Sequence, residues 1–459
     1  MRSKISTTLY IKVRFFADFF CDYLFERVSL LAIKQILTMN LKYGLDSRPP
    51  IGQLFLYSMQ WFVLAVAVVV TSLFIAVGSP AERVLYAQKV FALVGAATII
   101  QALWGHRMPI VVGPAAVLLV GIITALASQG AEVNTNKIYT AVMVGGVVVT
   151  ALAAARVLSH LQRIFTPRIV IVILLLIAIT LAPTIKNLIF PETEAARHAF
   201  GLWFTIIGVP AMAFVSYRLR GVLKSVMIPI SLFVGCVIYY AIYGGFGEVM
   251  SRYTESEGSL LIPRLEFDGS MIIAFLLCYV ALLINDVGSI QALGGMLATP
   301  DTDRRCGRGV AITGIMNIVA GGMGVIGPVN YSMSPGVIAS SSCASRYAIL
   351  PAGVALIVCA FIPSLIAILS AIPNTVIGVI LLYLMGTQLA AAFNMLVSTK
   401  SVLSFDDALI VGLPIMVAML FGAVPMDVVP AIVRPILGNG FVMGVVTVVV
   451  LEHVLLRRR

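Results

Sequence analysis

Charge is what this chain most lacks. Only 11% of its 459 residues are Asp, Glu, Lys or Arg, against roughly 25% in ordinary soluble domains. That scarcity excludes a soluble globular domain of any size. Histidine is rarer still, with four in the chain; His106, His160, His198 and His453 fall at loop edges and are expected to be interface residues. No HExxH, P-loop or GxSxG stretch occurs, and no nucleophile, histidine and acid stand where they could meet, so an enzyme has little support. The six cysteines, Cys21, Cys236, Cys278, Cys306, Cys343 and Cys359, show no CxxC pair and no metal-ligand spacing. Most lie in apolar runs, where cysteine behaves as a small hydrophobe. Disulfides, a metal site and a cofactor are therefore not implied.

Hydrocarbon fills the space that charge leaves. The chain is 60% hydrophobic, with a mean hydropathy of +1.04. Since about 20 apolar residues cross a bilayer as a helix, it reads as an all-α polytopic membrane protein of about 14 transmembrane segments. They run near 54–77, 86–104, 108–128, 138–157, 168–183, 199–217, 225–244, 271–297, 309–324, 325–343, 347–371, 373–396, 407–424 and 430–455. The net charge of +11 is scattered over short loops without interleaved aromatics, which speaks against nucleic acid as a partner. With the N-terminus inside, Arg107, Arg163, Arg168, Arg218, Arg305, Arg346, Lys400 and residues 457–459 fall on the cytoplasmic side. Glu192, Glu194 and the acidic loop from Glu248 to Asp268 fall opposite. The positive-inside rule then predicts an even number of crossings in the cell (cytoplasmic) membrane, with both termini cytoplasmic. Residues 1–40 carry recurring charges and fit neither a signal peptide nor a span. They form either an interfacial amphipathic helix or an extension ahead of a natural start at Met39.

Two segments differ from the rest. MPIVVGPAAVLL (108–119) and VIGPVNYSMSPGVIASSS (325–342) each begin with a Pro- and β-branched-rich piece, meet Gly-Pro or Pro-Gly, and resume helix-compatible residues. Proline pushes the preceding residue away from α geometry. Each segment is thus expected to enter the membrane extended and finish as a half-helix, Pro-kinked continuous helices being the alternative. Non-helical backbone at that depth needs protein or a watery cavity around it, and a matched pair of such segments points to a transporter's binding site. They are third and tenth in order, seven apart, which would give the halves opposite orientations: a first repeat over 41–246 and a second over 247–459.

Between them, ALLINDVGSIQALGG (281–295) places Asp286 in an apolar run. An acid at hydrocarbon depth is costly and is read first as a functional group facing a cavity or partner. Proton binding and release would suit Asp286. A structural carboxylate bonded to hydroxyls such as Thr313 is the plainer alternative. Asn285 and Ser289 lie four apart and share a helix face, with Asn285 able to donate and accept toward a polar ligand edge or to act as polar glue between helices. Ser334 and the backbone around Gly336 would stand at one half-helix N-terminus, and Ala115 and Ala116 at the other, where the positive dipole end points at a carbonyl or anion. Trp61 and Tyr331 could stack on a planar ring or simply pack.

LKYGLDSRPP (41–50), HRMPIVVGP (106–114), INDVG (284–288), PVNYSMSPGVIAS (328–340) and IPNTVIGVILLYLMG (372–386) resemble, in order, the landmarks of the nucleobase/ascorbate transporter family, the uracil and xanthine permeases. The resemblance runs from about residue 40 to the end. It implies fourteen segments in two inverted seven-segment repeats, short strands in segments 3 and 10, core and gate domains, and a homodimer. It also implies a substrate held between the third and tenth segments beside the eighth. The family's eighth-segment carboxylate falls on Asn285, with a polar position one turn on at Ser289. Its tenth-segment pair falls on Met333 and Ser334, its first-segment Gln-His on Gln60-Trp61, and a ninth-segment polar position on Thr313. An amide and a thioether thus replace groups that would hydrogen-bond a base strongly, so family specificity does not simply carry over.

The expected function is a proton-linked secondary transporter of nucleobase-like solutes such as uracil or xanthine, working by alternating access. Asn285, Ser289, Met333, Ser334, Gly336, Ala115, Trp61 and Tyr331 would bind substrate and Asp286 the coupling proton. An anion carrier of the same fold, or a receptor or scaffold that no longer transports, are the alternatives.

Overall fold

Proline and glycine set the chain's breaks, and the breaks set its architecture. The computed structural model describes residues 41–70, 72–76, 79–128, 134–155, 166–191, 198–219, 227–254, 263–331, 333–425, 429–430 and 433–456. The extension at 1–40, Arg163, His160, Glu192, Glu194 and residues 457–459 lie outside the described residues.

The first part contains α1 (Ile51–Val70), α2 (Pro80–Leu103), strand β1 (Val112–Pro114), α3 (Ala116–Ser128) and α4 (Thr135–Ala154). Then follow α5 (Pro167–Thr180), α6 (Ala182–Ile189), α7 (His198–Arg218), α8 (Met227–Tyr243) and α9 (Phe246–Thr254). The later part contains α10 (Gly269–Met296), α11 (Thr302–Met323), strand β2 (Pro328–Asn330), α12 (Ser334–Ser341), α13 (Leu350–Ala360) and α14 (Pro363–Ser370). The chain closes with α15 (Asn374–Ser398), α16 (Phe405–Gly422), α17 (Arg434–Leu437) and α18 (Gly440–Val450).

Among the described residues, eight helical stretches are long and apolar enough to cross a membrane. A multi-pass membrane protein follows. The stretch expected as one segment at 347–371 is two helices, bent by 91° between Ala360 and Pro363. Pro363 has no N–H to continue the helical ladder and drives Ile362 to φ −110°, ψ 88°, outside helical geometry. Outward faces are apolar: α7 leaves Trp203, Ile207 and Phe214 exposed, as a helix surrounded by acyl chains requires.

The helices pack as two sets. α4 lies against α11 and α10, and α2 against α13, with α3 on α10. In the other set α15 packs on α5, α6, α7 and α8, while α16 packs on α18 and α5. Arg168, at the start of α5, ties this second set at one end. Its guanidinium lies 3.1 Å from Asp407 of α16 and 3.1 Å from Glu452, both carboxylates being nearly buried, and its Nε donates to Ser401 O at 2.8 Å. In the first set, Asn134 and Asn136 beside α4 donate to the two carboxylate oxygens of Glu266 at 2.6 and 2.9 Å, fastening the chain entering α10. Those donors hold Glu266 below the usual carboxylate range.

Candidate functional site

The two interrupted segments meet. β1 and β2 pair antiparallel with Val112 opposite Asn330, Gly113 opposite Val329 and Pro114 opposite Pro328. Ala115 N donates to Gly327 O at 2.9 Å and Tyr331 N to Val111 O at 2.8 Å, so backbone groups just beyond each strand also find partners. These few residues need short strands because the flanking prolines forbid helix, and pairing satisfies the polar backbone inside the protein. Two glycines make the close approach feasible. A Cβ on Gly113 would lie 2.6 Å from Val68 Cγ1, and one on Gly327 would overlap Asn317 Oδ1 at 1.7 Å. α3 and α12 then leave the strand pair as half-helices.

A cavity of about 340 Å³ opens beside this junction. Pro114 and Ala116 line it from the first interrupted segment, Tyr331 and Met333 from the second, and Asn285 from α10. Val68 and Ser72 close one side, α5 contributes Leu174 and Ile177, and α15 contributes Leu381, Leu384, Met385, Thr387, Gln388 and Ala391. Among the described residues, none lining it is Asp, Glu, Lys, Arg or His.

The sequence-derived site residues separate into two groups. Asn285, Tyr331 and Met333 line the cavity. Ser289, Ser334, Trp61, Ala115 and Gly336 are not among its walls. Ser289 donates to Asn285 O at 2.8 Å, the ordinary back-bond of a helical serine. Ser334 is fully buried, where its Oγ accepts from Val111 N at 2.9 Å and donates to Tyr331 O at 3.2 Å. It joins the start of α12 to the residues bordering both strands. Trp61 is packed in the core at 1% exposure, Ala115 is buried behind its neighbour Ala116, and Gly336 lies within α12.

Asp286 turns away from the cavity and is completely buried. Its Oδ1 accepts from Asn330 N at 3.0 Å and Asn330 Nδ2 at 2.7 Å; the Thr313 hydroxyl also interacts with this carboxyl, and Oδ2 has no partner of ordinary hydrogen-bond geometry among the described residues. Thr313 of α11 accepts from Gln101 Nε2 at 3.0 Å and, more loosely, from Asn330 Nδ2 at 3.4 Å. His106 completes the chain of contacts. Met108 N donates to its Nδ1 at 3.0 Å, so the ring proton sits on Nε2 and points to Asn330 Oδ1, 3.1 Å away. The expectation that every histidine is an interface residue therefore fails at His106, which has no exposed surface. Loop position hid it, since the fold of that loop over α11 buries it. Arg305 helps by donating to His106 O and Arg107 O at 3.2 Å each.

Asn330 and the α15 residues Thr387 and Gln388 were not singled out by sequence. The only signal for Gln388 was a lone carboxamide in an otherwise apolar helix face.

Paired interrupted segments around a cavity whose described lining is uncharged fit a membrane permease, and no enzyme chemistry is implied. The family profile described as "Permease family" matches residues 52–427, and the chain belongs to that family, the uracil and xanthine permease type. Similar proteins include the uric acid permease PucJ of Bacillus subtilis strain 168, 23% identical, with 78% of this chain and 82% of that protein aligned. The xanthine permease XanP of Escherichia coli K12 is 24% identical, covering 93% of this chain and 97% of its own. Among solved structures, the transmembrane domain of the cyanobacterial bicarbonate transporter BicA superposes with a TM-score of 0.57 at 14% identity, over 78% of this chain and 97% of that one. This likeness concerns the fold alone.

Proposed function

We propose that this permease is a secondary active transporter of nucleobase-like solutes such as uracil or xanthine, moving them across the cytoplasmic membrane by alternating access with proton linkage. The observation that carries the reading is the cavity at the junction of the two interrupted segments, with Asn285, Tyr331 and Met333 in its wall. A flat ring there would meet the Asn285 carboxamide and the Tyr331 ring. Backbone at Ala115 and Gly336 would present half-helix dipole ends, and Ser289, Ser334 and Trp61 would hold these elements in place.

The cavity lies between the two helix sets. In this reading the set carrying the strands is the core and the set built on α5–α8, α15, α16 and α18 is the gate that moves against it. This reading takes each interrupted or bent segment as one crossing, fourteen in all, arranged as inverted halves 41–246 and 247–459 with both termini cytoplasmic. Asp286 is the proton site, being the acid buried beside the strand junction, with one oxygen lacking a partner of ordinary hydrogen-bond geometry among the described residues.

A thermal-shift series on the purified full-length protein tests the substrate class, because a ligand stabilises the state it binds. Uracil or xanthine should raise the midpoint and ascorbate or bicarbonate should not. Stabilisation by bicarbonate alone would replace this reading with an anion carrier, and base binding without flux in sealed vesicles would replace it with a receptor.

A further inference from the structure

We infer that Gln388 is a substrate-contacting, specificity-determining residue: with Asn285 it grips a neutral heterocycle by its cyclic amide edges, so the site takes the uncharged form of its ligand. This rests on the cavity being the transport site.

The polar groups in the cavity wall are not equivalent. Ser72 Oγ donates to Val69 O at 2.7 Å, Thr387 Oγ1 to Leu384 O at 2.7 Å and Tyr331 Oη to Pro114 O at 2.6 Å. Each hydroxyl proton is thus committed to a backbone carbonyl. Two lining side chains, Asn285 and Gln388, keep carboxamides with no hydrogen-bond partner among the described residues. A carboxamide offers a donor and an acceptor side by side, the complement of the N–H and C=O that adjoin in a lactam or imide ring.

Position on α15 supports the pairing. Leu381, Leu384, Gln388 and Ala391 recur at helical spacing and present one face to the cavity. Gln388 interrupts that apolar face. α10 and α15 belong to different helix sets, so a ligand bonded to Asn285 and Gln388 bridges them. No described wall residue carries a charge, which penalises an ion that must shed its hydration without a countercharge.

The test uses full-length protein in detergent and measures binding of labelled xanthine and uracil across a pH series. Xanthine ionises within the series and uracil stays neutral. Wild type should lose xanthine affinity as pH rises through that ionisation while uracil affinity holds. Gln388→Met keeps the volume but removes the hydrogen bonds, and should raise the Kd of both bases about five- to tenfold. Its thermal midpoint without ligand should match wild type. Unchanged affinity in Gln388→Met overturns the proposal. So does a wild-type xanthine affinity that is flat across its ionisation, a comparison that needs no variant to fold. If neither base binds wild type at any pH, the transport reading itself fails.

Discussion

Asn330 donates both its backbone N–H and its side-chain amide to a single oxygen of Asp286, at 3.0 and 2.7 Å. Each of these residues has a neighbour in the cavity wall, Tyr331 beside Asn330 and Asn285 beside Asp286. Successive residues turn about 100° around a helix and alternate sides along a strand. One partner of each pair can therefore face the cavity while the other faces the buried network. The Asp286–Asn330 contact thus fixes Asn285 and Tyr331 relative to each other.

Replacing Asn330 by Ala should strip Asp286 Oδ1 of a side-chain donor and leave His106 Nε2–H without its acceptor. Each buried polar group left unsatisfied costs about 1–3 kcal/mol. The thermal midpoint in detergent should fall clearly, and base affinity should fall with it because Tyr331 is no longer held in register. A midpoint equal to wild type would mean the network contributes nothing.

Gly327→Ala should be the most damaging of the glycine substitutions at the strand junction. The new methyl would overlap Asn317 Oδ1 at 1.7 Å, and Asn317 is pinned there by Tyr279 Oη at 2.8 Å and by its own bond to Pro328 O at 2.9 Å. Overpacking of this kind costs about 1–3 kcal/mol. Thermal unfolding of the variant measures it, and Asn317→Ala in the same background should recover part of the loss by removing the obstructing atom.

Arg168→Ala should destabilise the second helix set by about 3 kcal/mol, the lower end of the range for breaking a buried ion pair. It leaves the nearly buried Asp407 and Glu452 without their shared cation. Arg168→Lys should recover only part of this, because one ammonium cannot reproduce a guanidinium fork that meets two carboxylates and a carbonyl. Chemical denaturation of the three proteins gives the order.

Glu266 supplies a pH dependence outside the membrane spans. Its pKa is lowered in the fold by the Asn136 and Asn134 amides, so its stabilisation is complete above the ordinary glutamate value of about 4.5. It is lost as pH falls through the lowered folded value. The difference in thermal midpoint between wild type and Glu266→Gln should be constant at neutral pH and shrink under acid. A difference that grows on acidification would reverse the sign of the assignment.

Much of the fold could be read directly from proline and glycine. Gly113-Pro114, Gly327-Pro328 and Pro335-Gly336 marked the interrupted segments because their backbone preferences are local. Asp286 stood out as an acid in an apolar run, and Asn285 beside it through the family resemblance. His106, Asn330 and Gln388 could not be found that way. His106 sits in a loop whose burial depends on packing against α11, Asn330 acquires its role from Asp286 on a distant helix, and Gln388 matters because its helix faces the cavity. The bend before Pro363 was available from that proline but was masked by an apolar run on both sides.

Uptake of labelled xanthine or uracil into proteoliposomes under an imposed proton gradient, by wild type and Asp286→Asn side by side, tests proton-linked base transport most directly. Wild type should accumulate base above equilibrium, collapse to equilibrium with a protonophore, and lose accumulation on Asp286→Asn. Accumulation that survives Asp286→Asn would contradict the coupling assignment, and no wild-type flux of either base in either direction would contradict the function.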